Sequence, residues 1–468
     1  MKMNKANYNI MLIAIITIMG MDLIDTTVMN NILPKIAESL NSTPEHLKMG
    51  ISIYMVIMGM FLPLSSWMAE KIGYKYTLIF AASGFGLFSL LTGLATTDMQ
   101  LFTFRAIQGM FAAFSAPVAM LAYLKMSEDM LEGTATLSNY TLIMAVVGQV
   151  IGGVFASISP ESWRLAFLMQ VPFACFAVIA IYKYFPEQSN HNQNKKIDFV
   201  GLFLLGFAIS SLFILSEILL KDVAMPIKVA LAACICISLS LYAITYKRIR
   251  NPIIDLSIFN DKNFKVSFVS NFLCRLTTYW VFFAWPVVLY HLSHLNTIYI
   301  SIMSVCLMFG TIFSKKIAKH IIYKYGYKTC MIFGLLGISA VMIISIVFDI
   351  HYSYVSFCSV AMMYGFVLGL YQTSSNALIY EVADESNLDS VNTVKSSGNM
   401  ISSAFALTIF TIIYDAYYQY NIDNDWLDRF LNIFTQTYYH VVTTAAVVQI
   451  ILAIWIFFRM DNIQQTKK

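Results

Sequence analysis

The reading of this chain turns on residues Met19–Pro34, MGMDLIDTTVMNNILP. The stretch lies inside an apolar segment that begins near Tyr8 and is long enough to cross a bilayer. It nevertheless carries two carboxylates, Asp22 and Asp25, followed by Asn30 and Asn31. An ionisable side chain at membrane depth is costly, so its default reading is functional. Three residues apart on a helix, the two aspartates share roughly one face. A chain that keeps both of them there has a polar interior to receive them.

Composition supports a membrane protein. The 468 residues are 58% hydrophobic and only 12% charged, with a mean hydropathy of +0.68, whereas soluble domains carry about 25% charged residues. Nearly all of the seven cysteines fall in apolar segments and read as small core- or lipid-facing residues. The Cys234-Ile235-Cys236 pair lacks a second ligand pair, so no metal site is expected. Nothing before Tyr8 resembles a cleavable signal, and the first apolar run is expected to remain as a span.

Segments of about 20 apolar residues occur at 9–33, 48–68, 76–96, 99–124, 134–158, 163–184, 198–219, 226–246, 266–290, 297–314, 329–349, 353–380, 391–415 and 435–458. The total is fourteen, and an even number puts both termini on one side. Assigning the N-terminus to the cytoplasm places 22 of the 30 basic residues on the cytoplasmic side and six outside, with Arg105 and Arg275 left within spans. That asymmetry satisfies the positive-inside rule.

The loops also suggest an internal repeat. Acidic loops at 125–132 and 381–389 each follow the fourth span of a six-span half. Ile72-Gly73-Tyr74-Lys75 and Tyr325-Gly326-Tyr327-Lys328 each follow a second span. The expected organisation is an N-terminal six-helix bundle (1–184), a linker with two inserted helices (185–262) and a C-terminal six-helix bundle (263–468). Transporter folds are commonly built from such repeats.

At this point the chain resembles a known family, the fourteen-span drug:proton antiporter branch of the major facilitator superfamily. That branch's first-span signature L-D-T-T-I-V-N-V-A-L-P is matched by residues 24–34, IDTTVMNNILP. Its loop signature G-x-L-A-D-R-x-G-R-K is matched by 66–75, SWMAEKIGYK, and its R-x-x-Q-G by Arg105-Ala106-Ile107-Gln108-Gly109. A W-R-x-x-F-L-x-x-x-P run stands at 163–172 and P-I-x-D-L-x-x-F at 252–259. The antiporter signature G-P-x-x-G-G departs, reading Gly148-Gln149-Val150-Ile151-Gly152-Gly153, so glutamine replaces its proline. Gly148 and Gly152 still form a small-xxx-small face for close helix approach. The loop after the tenth span lacks G-x-x-x-D-R and has Ser314-Lys315-Lys316 and Lys319 instead.

The resemblance implies an all-α major facilitator fold working by alternating access. In that setting Asp22, Asp25 and Arg105 are candidates for proton coupling. Counted at about 1.5 Å per residue, the acids sit in the outer half of the first span and Arg105 lies at a matching depth. An Asp–Arg interaction is then possible if spans 1 and 4 are neighbours, as the resemblance implies; the alternatives are a purely structural pair, or an Asp25 that caps the Thr26-Thr27 turn. Arg275, near the middle of span 9 with Asn271 one turn earlier, either favours anionic cargo or holds helices together. Asn30, Gln108, Gln149, Tyr279, Gln372 and Asn376 complete the candidate cargo-cavity set. Glu70, Lys71, Gly73 and Lys75 are expected, from the family, to form a cytoplasmic conformational latch. Gly148, Gly152 and Gly153 are expected to pack helices.

The expected function is secondary active export of a small organic molecule by proton exchange, with no cofactor beyond the proton gradient. The protein is expected to be a monomer of the inner membrane with both termini cytoplasmic, handling no nucleic acid. Uptake or uniport of a metabolite or siderophore-like anion is the rival within transport. A membrane-embedded enzyme would need a clustered nucleophile or His/Asp/Glu set, and no nucleotide-binding signature supports a primary pump.

Overall fold

The computed structural model describes residues 5–47, 49–127, 129–186, 198–218, 223–249, 252, 256–292, 297–347, 354–383, 388–419, 426–461 and 463. The side chains of 279–301 and 407–441, and those of Asn30 and Asn31, are among those outside this set. All regular structure among the described residues is helical. In chain order the helices are α1 (Lys5–Ser39), α2 (Pro44–Leu47), α3 (Met49–Phe61), α4 (Leu64–Ile72), α5 (Tyr74–Gly93) and α6 (Asp98–Ala112). There follow α7 (Ala116–Leu124), α8 (Met130–Ile158), α9 (Trp163–Leu168), α10 (Gln170–Tyr184), α11 (Phe199–Ile218) and α12 (Met225–Thr245). The last six are α13 (Lys262–Leu292), α14 (Thr297–Tyr325), α15 (Tyr327–Val347), α16 (Tyr354–Glu381), α17 (Leu388–Gln419) and α18 (Trp426–Arg459).

Among the described residues nine helices are long and apolar enough to cross a membrane, or ten if α3 and α4 count as one broken span. These ten correspond to ten of the fourteen expected segments. Of the other four, 198–219 coincides with α11, whose apolar part Phe199–Leu215 is shorter than a span. The segments 266–290, 297–314 and 391–415 lie on α13, α14 and α17, each with part of its side chains outside the described set. The structure therefore shows an all-helical, multi-pass fold, with nine to ten spans rather than fourteen among the described residues.

Sequence accounts for the breaks. Pro63, which has no backbone N–H to give, stands where α3 and α4 bend by 54°. Gly73 (φ 90°) turns the chain from α4 into α5, and Gly326 (φ 88°) turns it from α14 into α15. Side-chain-bearing residues rarely take that backbone conformation. The two short repeats therefore mark the same turn at corresponding places in the chain.

Backbone contacts divide the chain into two units. The first comprises Met1–Leu215, Ala224–Leu256 and Ser386–Ser397; the second comprises Ser216–Val223, Ser257–Glu385 and Gly398–Lys468. Most of both inserted helices, α11 and α12, thus belongs with the first unit, where the Ser210 hydroxyl donates to the Val56 carbonyl at 3.4 Å. The start of α17 also belongs there: Asn392 Nδ2 donates to the Pro117 carbonyl at 3.0 Å, and the Thr393 and Ser66 hydroxyls bond to each other.

In the first unit α1 packs against α8 and α10, and α3 against α6. At one edge Glu161 accepts from Ser39 Oγ at 2.6 Å and from Arg164 Nε at 2.7 Å, which holds its carboxyl below the usual carboxylate range. Arg164 also donates to the carbonyls of Gly93 (3.1 Å) and Ala95 (2.6 Å), satisfying the C-terminal end of α5.

In the second unit α14 lies against α16 at a crossing of small residues. A Cβ on Gly365 would run into the Leu307 backbone, and Thr311 Oγ1 donates to the Gly365 carbonyl at 3.0 Å. Close backbone approach of this kind holds membrane helices together where the hydrophobic effect does not. Gly365→Ala is therefore expected to push α14 from α16 and cost about 1–3 kcal/mol, read as a lower melting temperature of the purified protein. Gly153→Ala is the control: nothing lies within 4 Å of its added methyl, so melting should hold or rise slightly.

Candidate functional site

Arg105, Gln108 and Gly109 recur at i, i+3 and i+4 on α6, so all three occupy one face. Asp25 reaches that face from α1. Its Oδ2 pairs with Arg105 Nη1, and both side chains are fully buried. Its Oδ1 accepts from Gln108 Nε2 at 3.2 Å and from Gln170 Nε2, on α10, at 3.1 Å. Arg105 Nη1 also donates to Gln108 Oε1 at 2.9 Å, and Gln108 Nε2 reaches Ser89 Oγ on α5 at 3.4 Å. One carboxylate thus draws together α1, α6 and α10, with α5 one hydrogen bond behind. In an interior that cannot hydrate polar groups, these bonds offset part of the cost of burying such a pair.

Asp22 sits one turn earlier on α1 in a different setting. It is half-buried, and Tyr54, from α3, donates its hydroxyl to Oδ1. Tyr54 is itself fully buried, and its ring lies 4.1 Å from the Arg105 guanidinium carbon. A Cβ on Gly109 would strike the Tyr54 backbone, so the glycine of R-x-x-Q-G is what admits α3 so close to α6. The matched depths of the aspartates and Arg105 are therefore realised as one cluster. The reading of Asp25 as a cap on the Thr26-Thr27 turn is corrected: Thr26 Oγ1 donates to the Asp22 carbonyl at 3.0 Å and Thr27 Oγ1 to the Leu23 carbonyl at 2.8 Å. Hydroxyls within an apolar helix satisfy themselves on the preceding turn, so Asp25 is free for Arg105.

The other candidates divide. On α8 Gly148 packs on Ile24 and Thr27, and Gly152 is buried. Gly153 faces open space instead, because it points one residue round the helix from the packed edge; its packing role is not borne out. Gln149 is half-buried on the same helix. In the second unit Asn271 Nδ2 donates to Ser375 Oγ at 3.4 Å and to Asn376 Oδ1 at 3.3 Å, so Asn271 and Asn376 come together as one polar seam. Tyr371 OH donates to Ser270 Oγ at 3.0 Å beside it, and Gln449 Nε2 donates to Thr277 Oγ1. Arg275 and Gln372 are half-buried. The Asn30 and Tyr279 side chains lie outside the described residues.

In the basic loop Lys71 Nζ lies 4.7 Å from the Trp67 ring centroid and Lys75 Nζ 5.5 Å from that of Tyr182, while Glu70 is half-buried beside the Gly73 turn. Sequence reading missed Tyr54, Ser89, Gln170 and Gln449. For the glutamines the available signal was the same one that exposed the aspartates, a strongly polar group in an apolar helix. For Tyr54 no sequence signal separates it from the other aromatic residues of the spans.

Known proteins place this architecture. The family model described as the Major Facilitator Superfamily matches residues 11–251 and 267–467. An Escherichia fergusonii protein named "Putative multidrug resistance protein MdtD" is 24% identical over 445 residues, covering 94% of this chain and 92% of its own length. The protein of the same name from Escherichia coli O1:K1 is 25% identical over 392 residues, covering 83% and 82%. Among solved structures, the human organic anion transporter MFSD10 (TETRAN) superposes with a TM-score of 0.65 at 11% identity, covering 97% of this chain and 100% of that one. The proton:xylose symporter XylE gives a TM-score of 0.63 at 12% identity, covering 98% and 96%. At such identities these structures speak for the fold, and the family match spans nearly the whole sequence: the chain belongs to the Major Facilitator Superfamily of membrane transporters.

Proposed function

We propose that this protein exports small organic molecules across the inner membrane in exchange for protons, by alternating access, and that Asp22 carries the proton. The carrying observation is the unequal fate of two acids on one helix face. Asp25 is buried and held by Arg105, Gln108 and Gln170. Asp22 is half-buried and accepts from one neutral hydroxyl, that of Tyr54. A proton carrier must be reachable and must tolerate both charge states, and only Asp22 meets those demands. Arg105 Nε and Nη2 make no hydrogen bond among the described residues, so the guanidinium retains donors for a second carboxylate. The names of the MdtD relatives support drug-like cargo, and the basic-residue asymmetry supports fourteen spans with both termini cytoplasmic. In this reading the proton gradient is the energy source, no cofactor is needed and the chain works as a monomer.

Proteoliposomes with an imposed pH gradient test the proposal, with a fluorescent lipophilic cation as cargo. Wild-type protein should move dye only with counter-movement of protons. Asp22→Asn should melt like wild type and lose gradient-driven transport by at least about tenfold, the equivalent of about 1.4 kcal/mol. Asp25→Asn should instead lose stability, on the order of 3 kcal/mol, because it strands a buried guanidinium without its counter-charge. Proton-independent dye movement together with full activity in Asp22→Asn would sink the reading.

One observation favours a second reading, uptake or uniport of a carboxylate-bearing metabolite. Arg275 shares α13 with Asn271, whose amide joins Asn376 and Ser375 in a seam rich in amides and hydroxyls. A cation beside amide donors suits a carboxylate. Under this reading a labelled hydroxycarboxylate should exchange across the same vesicles without a pH gradient, and Arg275→Gln should abolish that exchange.

A further inference from the structure

Tyr54 belongs to no motif that sequence reading singled out, yet it meets Asp22, Arg105 and Gly109 in the first unit. Its hydroxyl donates to Asp22 on α1. Its ring covers the Arg105 guanidinium on α6, 4.1 Å from the carbon. Its backbone sits against Gly109, where any side chain would collide with it. It is wholly buried, and Met21, Phe85, Ala112 and Ala174 pack in the same core cluster, which gives the ring little freedom to turn. A phenol needs no second carboxylate or cation to be stable in such a core; a single hydrogen-bond partner suffices.

We propose that Tyr54 is the positioning residue that ties the protonation of Asp22 to the Asp25–Arg105 pair, and through them to helix α3. The inference rests on the reading of Asp22 as the proton carrier. When Asp22 is ionised, the Tyr54 hydroxyl donates to it, a charge-assisted bond about twice as strong as a neutral one. That bond holds the ring flat on Arg105. When Asp22 takes a proton, the bond weakens to an ordinary one and the ring is held on Arg105 by packing and its cation–π contact alone. The proton therefore alters how firmly α3 is held against α1 and α6.

The position of Tyr54 makes that change consequential. Helix α3 runs to Phe61 and bends at Pro63 into α4, which carries Ser66. Ser66 bonds Thr393 at the start of α17. Tyr54 and Ser66 are twelve residues apart, on either side of the 54° bend at Pro63. A shift of α3 at Asp22 thus reaches the hydroxyl pair that holds the start of α17 to the first unit.

The ionisable groups that bear on Asp22 are few among the described residues. They are Asp25 on its own helix, Tyr54 from α3 and Arg105 from α6. Along the helix that carries Asp22, α8 and α10 bring Met144 against Gly20, Gly148 against Ile24 and Thr27, and Gln170 against Asp25; none of the three titrates. A change in the titration of Asp22 on altering Tyr54 alone therefore reports their contact.

The test is infrared titration of the full-length protein in lipid nanodiscs, following the protonated-carboxyl C=O band. The Asp22 component is identified as the part of the titrating band that Asp22→Asn removes. Tyr54→Phe keeps the ring on Arg105 and deletes only the hydroxyl. It should melt within a degree or two of wild type and move the midpoint of the Asp22 band to higher pH by about one unit, because the donor that favours the ionised form is gone. Tyr54→Leu should move the midpoint in the same sense and also lower the melting temperature, since the ring is lost as well. An Asp22 band whose midpoint is unchanged in Tyr54→Phe and Tyr54→Leu overturns the role of Tyr54 while leaving Asp22 as the carrier. A titrating band that Asp22→Asn does not alter overturns both.

Discussion

A buried carboxylate–guanidinium pair, Asp25 with Arg105, is the constraint on which the first unit depends. Removing two charges from water is expensive, and the Coulombic return repays it only when the remaining donors and acceptors find partners. Here the Asp25 carboxylate and Arg105 Nη1 find Gln108, from the same helix as Arg105, and Gln170 from α10, with Ser89 anchoring Gln108, while Arg105 Nε and Nη2 are met by no hydrogen bond among the described residues. Those requirements fix which helices must meet. They explain why arginine, glutamine and glycine recur at i, i+3 and i+4 on α6: one residue supplies the charge, one bridges charge to neighbour, and one clears space for α3.

Two aspartates three residues apart could have been redundant. They are not, because a helix turn of about 100° per residue takes one into the packed core and leaves the other at its edge. Asp25 meets α6 and α10; Asp22 meets α3 and remains half-buried. The same amino acid on the same face thus becomes a fixed counter-ion at one position and an accessible acid at the other. The distinction arises from tertiary packing, which composition and spacing do not encode.

That limit defines what could be read from the chain beforehand. Charge asymmetry and hydropathy were sufficient for an all-helical, multi-pass membrane protein, because bilayer thickness and backbone sterics act locally, and the motifs of the resemblance pointed to a transporter. Gly73 and Gly326, within the Ile-Gly-Tyr-Lys and Tyr-Gly-Tyr-Lys strings, both adopt positive φ. A pairing of Arg105 with an aspartate of the first span was legible from depth together with the resemblance, with Asp22 and Asp25 both left open. Tyr54 and Gln170 were not, since an aromatic or amide in an apolar helix is informative only once its neighbours are known. Gly153 failed for a related reason: a glycine-rich string predicts close packing, but only the residues on the contacting edge, Gly148 and Gly152, can supply it.

The two units use different chemistry for comparable helix packing. The first holds its interior with opposite charges, whereas the second joins α13 to α16 and α18 through neutral amides and hydroxyls: Asn271 with Asn376, Tyr371 with Ser270, Gln449 with Thr277. A neutral seam can exchange its hydrogen bonds for those of a passing solute at little cost. A buried ion pair cannot do so without stranding a charge. Within the proposed reading this difference separates the two tasks of an exporter. Proton exchange belongs where a charged cluster senses one ionisable neighbour, and cargo recognition belongs where polar groups are numerous, uncharged and individually replaceable.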